Sequence, residues 1–169
     1  MTTRTWVLAL ATASLLFSGA ILFHQGSKGR SRPPLIPAAS AQEVLRYVRE
    51  GKRVVFVDAR ESAEFREERI PGAINLTLRE VRSLDPAELG DPALVIAYCI
   101  KDLRGYEVAR ALDHAGVRNV HTFAEIGFQG WKKLGLPTEK GAPVVSAAPS
   151  RVLAACAADV EQCTGRSRT

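Results

Sequence analysis

Two short unbroken apolar runs, "VVFVD" at 54–58 and "LVIAY" at 94–98, constrain this chain most. They are rich in Val and Ile and lack the polar alternation of a half-exposed strand. Such runs form strands covered on both faces. Helical patterns surround them. "SAQEVLRYVREG" has Ser40 and Glu43 at capping-box spacing, an apolar stripe of Val44, Leu45 and Val48, and Gly51 as its stop. "ESAEFREER" reads as a short acidic helix, and "IPGAINL" as a turn and a strand. Thr77 and Glu80 offer a second capping box. "GYEVARALDHAG" is a helix with Val108, Ala109 and Leu112 turned inward and Gly116 as its cap. "NVHTF" is a further strand, and "FQGWKKLG" a last short helix ended by Gly135. Strands alternating with helices predict an α/β domain of three layers, over about residues 36–140, with a central parallel sheet.

The N-terminus predicts a membrane segment. After a flank at residues 1–5, "WVLALATASLLFSGAILF" runs from Trp6 to Phe23 without a charge. As a helix it is roughly 27 Å long, close to the hydrocarbon thickness of a bilayer. A secretory signal is the alternative, with Ser18, Gly19 and Ala20 as a small-residue cleavage site. The apolar run continues through Ile21, Leu22 and Phe23, which favours a single-pass anchor. Arg4 and the α-amine precede it, and Lys28, Arg30 and Arg32 follow. This difference of one charge favours the cytoplasm for the domain; a cleaved signal would instead make it periplasmic or secreted. Residues 24–35 begin a Gly, Ser and Pro-rich stretch, "HQGSKGRSRPPLIPAAS", that reads as a tether.

The net charge of +5 comes largely from flanks such as Lys28–Arg32 and Arg166 and Arg168. No basic stripe with interleaved aromatics exists, so nucleic acid is excluded as a partner. Three cysteines, Cys99, Cys156 and Cys163, make neither a disulfide framework nor a zinc signature. No metal or cofactor is expected. Cys156 and Cys163 lie in the tail, residues 141–169, seven positions apart. On a straight helix that is about 10 Å, too far for a disulfide. The expectation is an alanine-rich helix or a loose tail with two free thiols, with Cys163 as a remote candidate for a resolving thiol. His114 and His121 lack ligand spacing and read as surface residues.

In α/β folds, ligands bind at the carboxyl ends of the strands. Cys99 ends the "LVIAY" strand, and Asp58 ends "VVFVD". Four residues, Ile100, Lys101, Asp102 and Leu103, separate Cys99 from Arg104. Curling of this loop would turn its N–H groups inward as an anion nest. A helix starting near Gly105 would add its positive end, and Lys101 and Arg104 add full charges. All of these favour a thiolate at Cys99 over a thiol. No histidine adjoins it, so a Cys-His hydrolase arrangement is not visible.

The segments "VVFVDARESAEFREERIPGAINL", "VIAYCIKDLRGYEVARALDHAGVRNV" and "EIGFQGWKKLGLP" resemble, in order, the single-domain rhodaneses, a sulfurtransferase family. The resemblance implies that Cys99 carries sulfur as a persulfide. It would take sulfur from a small donor such as thiosulfate and yield it to a thiol or cyanide. It further implies that the residues 100–103 bind the substrate with Arg104 closing the loop. Asp58 and Arg60 would support the loop, and Trp131 would pack the last helix. Phosphatases and arsenate reductases of related fold have a loop one residue longer, which disfavours phosphate or arsenate here.

The sequence departs from the family pattern at several positions. Asp102 stands where the family usually has glycine, and its carboxylate opposes a thiolate and an anionic donor. Gly105 replaces a Ser or Thr cap, Ile100 a frequent arginine, Arg69 a frequent histidine, and Ile126 one of two glycines before the last helix. Two functional readings follow. One is a membrane-tethered sulfurtransferase or persulfide carrier. The other is a catalytically silent rhodanese-like module that binds a protein partner at the membrane.

Overall fold

The apolar runs become neighbours in one sheet. The computed structural model describes residues 35–101, 103–125, 127–142, 151–159 and 163. The expected membrane segment at 6–23, the flank before it, residues 24–34 of the linker, Asp102 and Ile126 lie outside the described residues. Among the described residues, no helix is long and apolar enough to cross a membrane.

The elements are β1 (Ala38–Ala39), α1 (Ala41–Arg49), β2 (Val54–Asp58), α2 (Ser62–Glu67), β3 (Ile74–Asn75) and α3 (Leu78–Val81). A 3-10 turn at Pro86–Leu89 follows, then β4 (Leu94–Tyr98), α4 (Leu103–His114), β5 (Val120–Phe123), α5 (Gly127–Lys133) and α6 (Arg151–Ala158). The strands form one parallel sheet in the order β1-β5-β4-β2-β3. The two apolar runs are its central pair, with Val54 opposite Leu94 and Asp58 opposite Tyr98. β1 lies at the start of the expected domain, just past the linker, where no strand was expected. Ala38 and Ala39 pair with Thr122 and Phe123 there, and two alanines carry too little pattern to be read as a strand.

Alternation along β4 divides the core. Leu94, Ile96 and Tyr98 face one cluster with residues of α1 and α5; Val95, Ala97 and Cys99 face the other, with Val108 and Leu112 of α4. Each buried aliphatic side chain contributes about 1.5–3 kcal/mol, so both faces need their helices. Trp131 is fully buried, packs edge-on against Phe56 with ring centres 5.7 Å apart, and donates its indole N–H to the Pro137 carbonyl at 2.8 Å. Its expected packing role holds.

The helix starts obey local chemistry. Thr77 and Glu80 form the expected capping box of α3, and Glu61 and Glu64 form one at α2. At α1, the Ser40 hydroxyl accepts from the Glu43 N–H at 3.2 Å. The Glu125 carboxylate also accepts from the Ala41 N–H there, at 3.0 and 3.1 Å.

The tail corrects one expectation. α6 packs against α1 and buries Leu153, Cys156 and Ala157 in the cluster that holds Val44 and Val48. Cys156 is disulfide-bonded to Cys163, with Cα atoms 4.9 Å apart. The straight-helix spacing did not apply, because α6 ends at Ala158. Cys163 is therefore not a free resolving thiol, and it packs against the cluster on the opposite side of the sheet from Cys99.

Candidate active site at the Cys99 loop

β4 delivers Cys99 to the carboxyl edge of the sheet, next to Asp58 at the end of β2. The Cys99 side chain is 3% exposed and is the free cysteine among the described residues. Its carbonyl accepts from the Phe128 N–H at 2.7 Å, and the Ile100 carbonyl accepts from the Gln129 N–H at 3.4 Å. The first turn of α5 thus holds the start of the loop. Ile100 is half-buried against the α5 side, while Lys101 is exposed.

α4 begins at Leu103, two residues earlier than the sequence pattern placed it. Arg104 therefore lies in its first turn, and Gly105 is inside the helix rather than a cap. A Cβ on Gly105 would stand 2.9 Å from the Tyr98 Cα and 3.0 Å from the Cys99 nitrogen. The glycine is there for close approach: it lets the helix start rest on the backbone that carries Cys99. Leu103 points outward, 78% exposed.

Arg104 reaches two ways. Its Nη1 donates to Glu64 Oε2 at 3.0 Å and its Nη2 to Oε1 at 3.3 Å. The charge of the same guanidinium is within electrostatic reach of Cys99. Its pKa is raised, chiefly by Glu64, and the Glu64 carboxyl is held below its ordinary value, chiefly by Arg104. Glu64 lies in the short acidic helix, and its local pattern carries no sign of this role.

Behind the loop lies a buried polar network. Asp58 is fully buried and Arg60 is 3% exposed. Arg60 donates to the Asp58 carboxylate through its backbone N–H at 3.0 Å, Nε at 2.9 Å and Nη2 at 2.6 Å. Nη2 also donates to the Glu68 carbonyl at 2.7 Å, and the guanidinium lies 4.5 Å over the Phe128 ring. The Tyr98 hydroxyl accepts from the Ile70 N–H at 3.3 Å; burial first, then the nearby charge of Asp58, pushes its pKa well above the ordinary tyrosine value. Register explains the proximity, since Tyr98 and Asp58 are paired neighbours on one face. The Asp58–Arg60 pair is set behind the loop and supports Phe128, which holds Cys99.

Arg69, flagged only as an unusual residue, is 1% exposed and clamps the end of the domain. It pairs with Glu139 at 2.8 Å and donates to the Gly141 carbonyl at 2.7 Å.

Two open grooves flank the loop. One, of about 620 Å³, is lined by Ala59, Thr77, Leu78, Leu103, Arg104 and Glu107 among others. The other, of about 490 Å³, is lined by Arg60, Glu64, Ile100, Phe128, Gln129 and Lys132 among others. Arg104 lines the first and Glu64 the second, so their ion pair is the ridge between them. Among the described residues, no three His, Cys, Asp or Glu side chains cluster to hold a metal.

A family model for the rhodanese-like domain matches residues 40–134, more than half of the chain and the whole of this site. The chain belongs to the rhodanese-like family. Among solved structures, this rhodanese-like protein is similar to the thiosulfate sulfurtransferase of Pseudomonas aeruginosa, with 30% identity and a TM-score of 0.53 over 73% of this chain and 24% of that one. The rhodanese-like domain of an Anabaena protein shares the fold at 20% identity and a TM-score of 0.53, over 64% of this chain and 80% of that one. A curated relative, an HTH-type transcriptional regulator of Mycobacterium tuberculosis, is 35% identical over 63% of this chain and 46% of its own length. The chain thus spans about half of that relative and about a quarter of the Pseudomonas enzyme.

Proposed function

We propose that this protein is a rhodanese-type sulfurtransferase or persulfide carrier, tethered to a membrane through residues 6–23. The observation that carries the reading is the placement of Cys99 at the carboxyl end of β4, with Arg104 in the first turn of the helix that follows its loop. The thiolate is the nucleophilic form of a cysteine, and a strand end beside a cationic side chain is where such a nucleophile is used. The similarity to a thiosulfate sulfurtransferase supports sulfur as the group moved.

The chemistry balances with Cys99 alone. Its thiolate attacks the outer sulfur of a donor such as thiosulfate. The donor's S–S bond breaks, and sulfite leaves with the bonding electron pair. Cys99 is left as a persulfide. A thiolate or cyanide then attacks the outer sulfur, and the Cys99 thiolate departs regenerated. Arg104 offsets negative charge on the donor and on the persulfide, and Lys101 attracts the anion from outside the loop. Asp58 and Arg60 act at one remove, through Phe128.

A second reading is a silent module that binds a protein partner. It is favoured by the near-complete burial of Cys99 and by the engagement of Arg104 with Glu64. Intact mass of the domain after incubation with thiosulfate, and with a persulfide donor, decides between them. Gain of one sulfur atom that Cys99→Ser abolishes is the expected result. No gain from either donor on a folded domain overturns the sulfurtransferase reading in favour of the module.

A further inference from the structure

We propose that Glu64 is a positioning residue that sets how the Cys99 loop meets anions, by holding Arg104. The inference rests on the proposed role of Cys99 and names what governs access to it. Arg104 forks onto both oxygens of Glu64, at 3.0 and 3.3 Å, in the first helical turn after the loop that begins at Cys99. Glu64 is itself fixed, since Oε2 accepts from the Glu61 N–H at 3.2 Å in the α2 capping box. The guanidinium is thereby held in place on the ridge between the two grooves. Its positive charge is partly cancelled by the same carboxylate. Both side chains are partly exposed, at 45% and 35%, so an incoming anion can compete for the free N–H donors. Glu64 gives Arg104 its place and weakens its pull on anions.

The two parts separate by substitution. Glu64→Gln keeps a side-chain acceptor for Arg104 and removes the opposing charge. Glu64→Ala removes both. The test compares alkylation of Cys99 by iodoacetate, an anion, and iodoacetamide, its neutral analogue, on the full chain, alongside thiosulfate turnover. In Glu64→Gln, the iodoacetate-to-iodoacetamide rate ratio rises about twofold to fivefold, the size of an exposed charge effect. KM for thiosulfate falls by a similar factor with kcat retained, and added salt shrinks both changes. In Glu64→Ala, kcat falls because Arg104 is no longer placed. An unchanged ratio in Glu64→Gln overturns the proposal whether or not the protein transfers sulfur. A shifted ratio with no sulfur uptake by the unaltered protein overturns sulfur transfer and leaves Glu64 controlling anion access to Cys99.

A different observation carries a second inference. The Cys156–Cys163 disulfide fixes α6, which is packed into the core beside α1. Disulfides form and persist in oxidising compartments and are rare in the cytosol. The structure assigns the domain to the non-cytoplasmic side of its membrane, against the one-charge difference across residues 6–23. The fold keeps Cys99 in the cluster on the other side of the sheet, away from exchange with that disulfide. Cells that express the full chain are acid-quenched to trap thiols, and the denatured protein is labelled with a polymer-tagged maleimide. One label before reduction and three after it is the expected result. Three labels before reduction overturn the assignment.

Discussion

Arg60 and Asp58 form a buried ion pair in which the arginine closes back on a carboxylate two residues earlier, with Nη2 and Oδ2 2.6 Å apart. Neither charge meets solvent, and each is satisfied by several hydrogen bonds. Removal of one partner leaves the other buried without compensation, which costs about 3–5 kcal/mol. Asp58→Ala is therefore strongly destabilised, as read from the midpoint and slope of urea unfolding. Arg60→Ala is comparably affected. The double variant loses less than the sum, because the second substitution removes the orphaned charge.

Gly105→Ala tests the contact between α4 and the Cys99 backbone. Alanine is favoured over glycine in a helix by about 1 kcal/mol. The added Cβ, however, meets the Tyr98 backbone at 2.9 Å, and backbone in a central strand cannot give way cheaply. Overpacking of this kind costs about 1–3 kcal/mol, so the net change is destabilising. The start of α4 also shifts off the loop. Slower sulfur loading of Cys99 at equal donor concentration, together with a lower urea midpoint, is the expected outcome. A more stable variant with unchanged loading would sink this account of the glycine.

The parallel sheet was legible because β2 and β4 are buried on both faces, so their runs are unbroken. The helices announced themselves through Val44, Leu45 and Val48, through Val108 and Leu112, and through the capping box of Thr77 and Glu80. The places of Cys99 and Asp58 at strand ends, and of Arg104 just behind the loop, were legible from the strand runs and the spacing; Arg60 entered only through the family resemblance. Other features were hidden because they depend on contacts between segments far apart in the chain. Glu64 meets Arg104 across 40 positions, and Arg69 meets Glu139 across 70. Gly105 carries no sign in the sequence that a strand backbone will lie against it. Cys156 and Cys163 misled because a spacing rule for a straight helix was applied across a helix end.

Leu153→Ala asks whether α6 contributes to the stability of the domain. Leu153 is 2% exposed and lies in the same cluster as Val44 and Val48, although no family resemblance covered it. Truncation of a buried leucine to alanine costs about 2–5 kcal/mol. The midpoint of urea unfolding should fall accordingly in the oxidised protein. Val152, 53% exposed on the same helix, is the control, and Val152→Ala should leave the midpoint nearly unchanged. Equal, small effects at both positions would show α6 to be undocked.

The ion pair of Glu68 and Lys132 predicts how stability responds to acid. The Glu68 carboxyl is held below its ordinary value, first by the Lys132 ammonium and further by the Thr138 hydroxyl, which donates at 2.8 Å. A carboxyl whose folded pKa is depressed binds its proton more readily in the unfolded chain. Its contribution is complete above the unfolded value of about 4.3 and drains away as pH falls through the lower folded value. Glu68→Gln removes this titration. The unaltered protein should exceed the variant in urea midpoint at pH 7, keep the margin down to about pH 5, and lose it as pH falls further, through the unfolded value and below it. The Glu64 carboxyl is held down in the same direction by Arg104, so the Glu68→Gln variant also loses stability as pH falls. A margin that stays constant across this range would show that the charge on Glu68 is not what Lys132 and Thr138 stabilise.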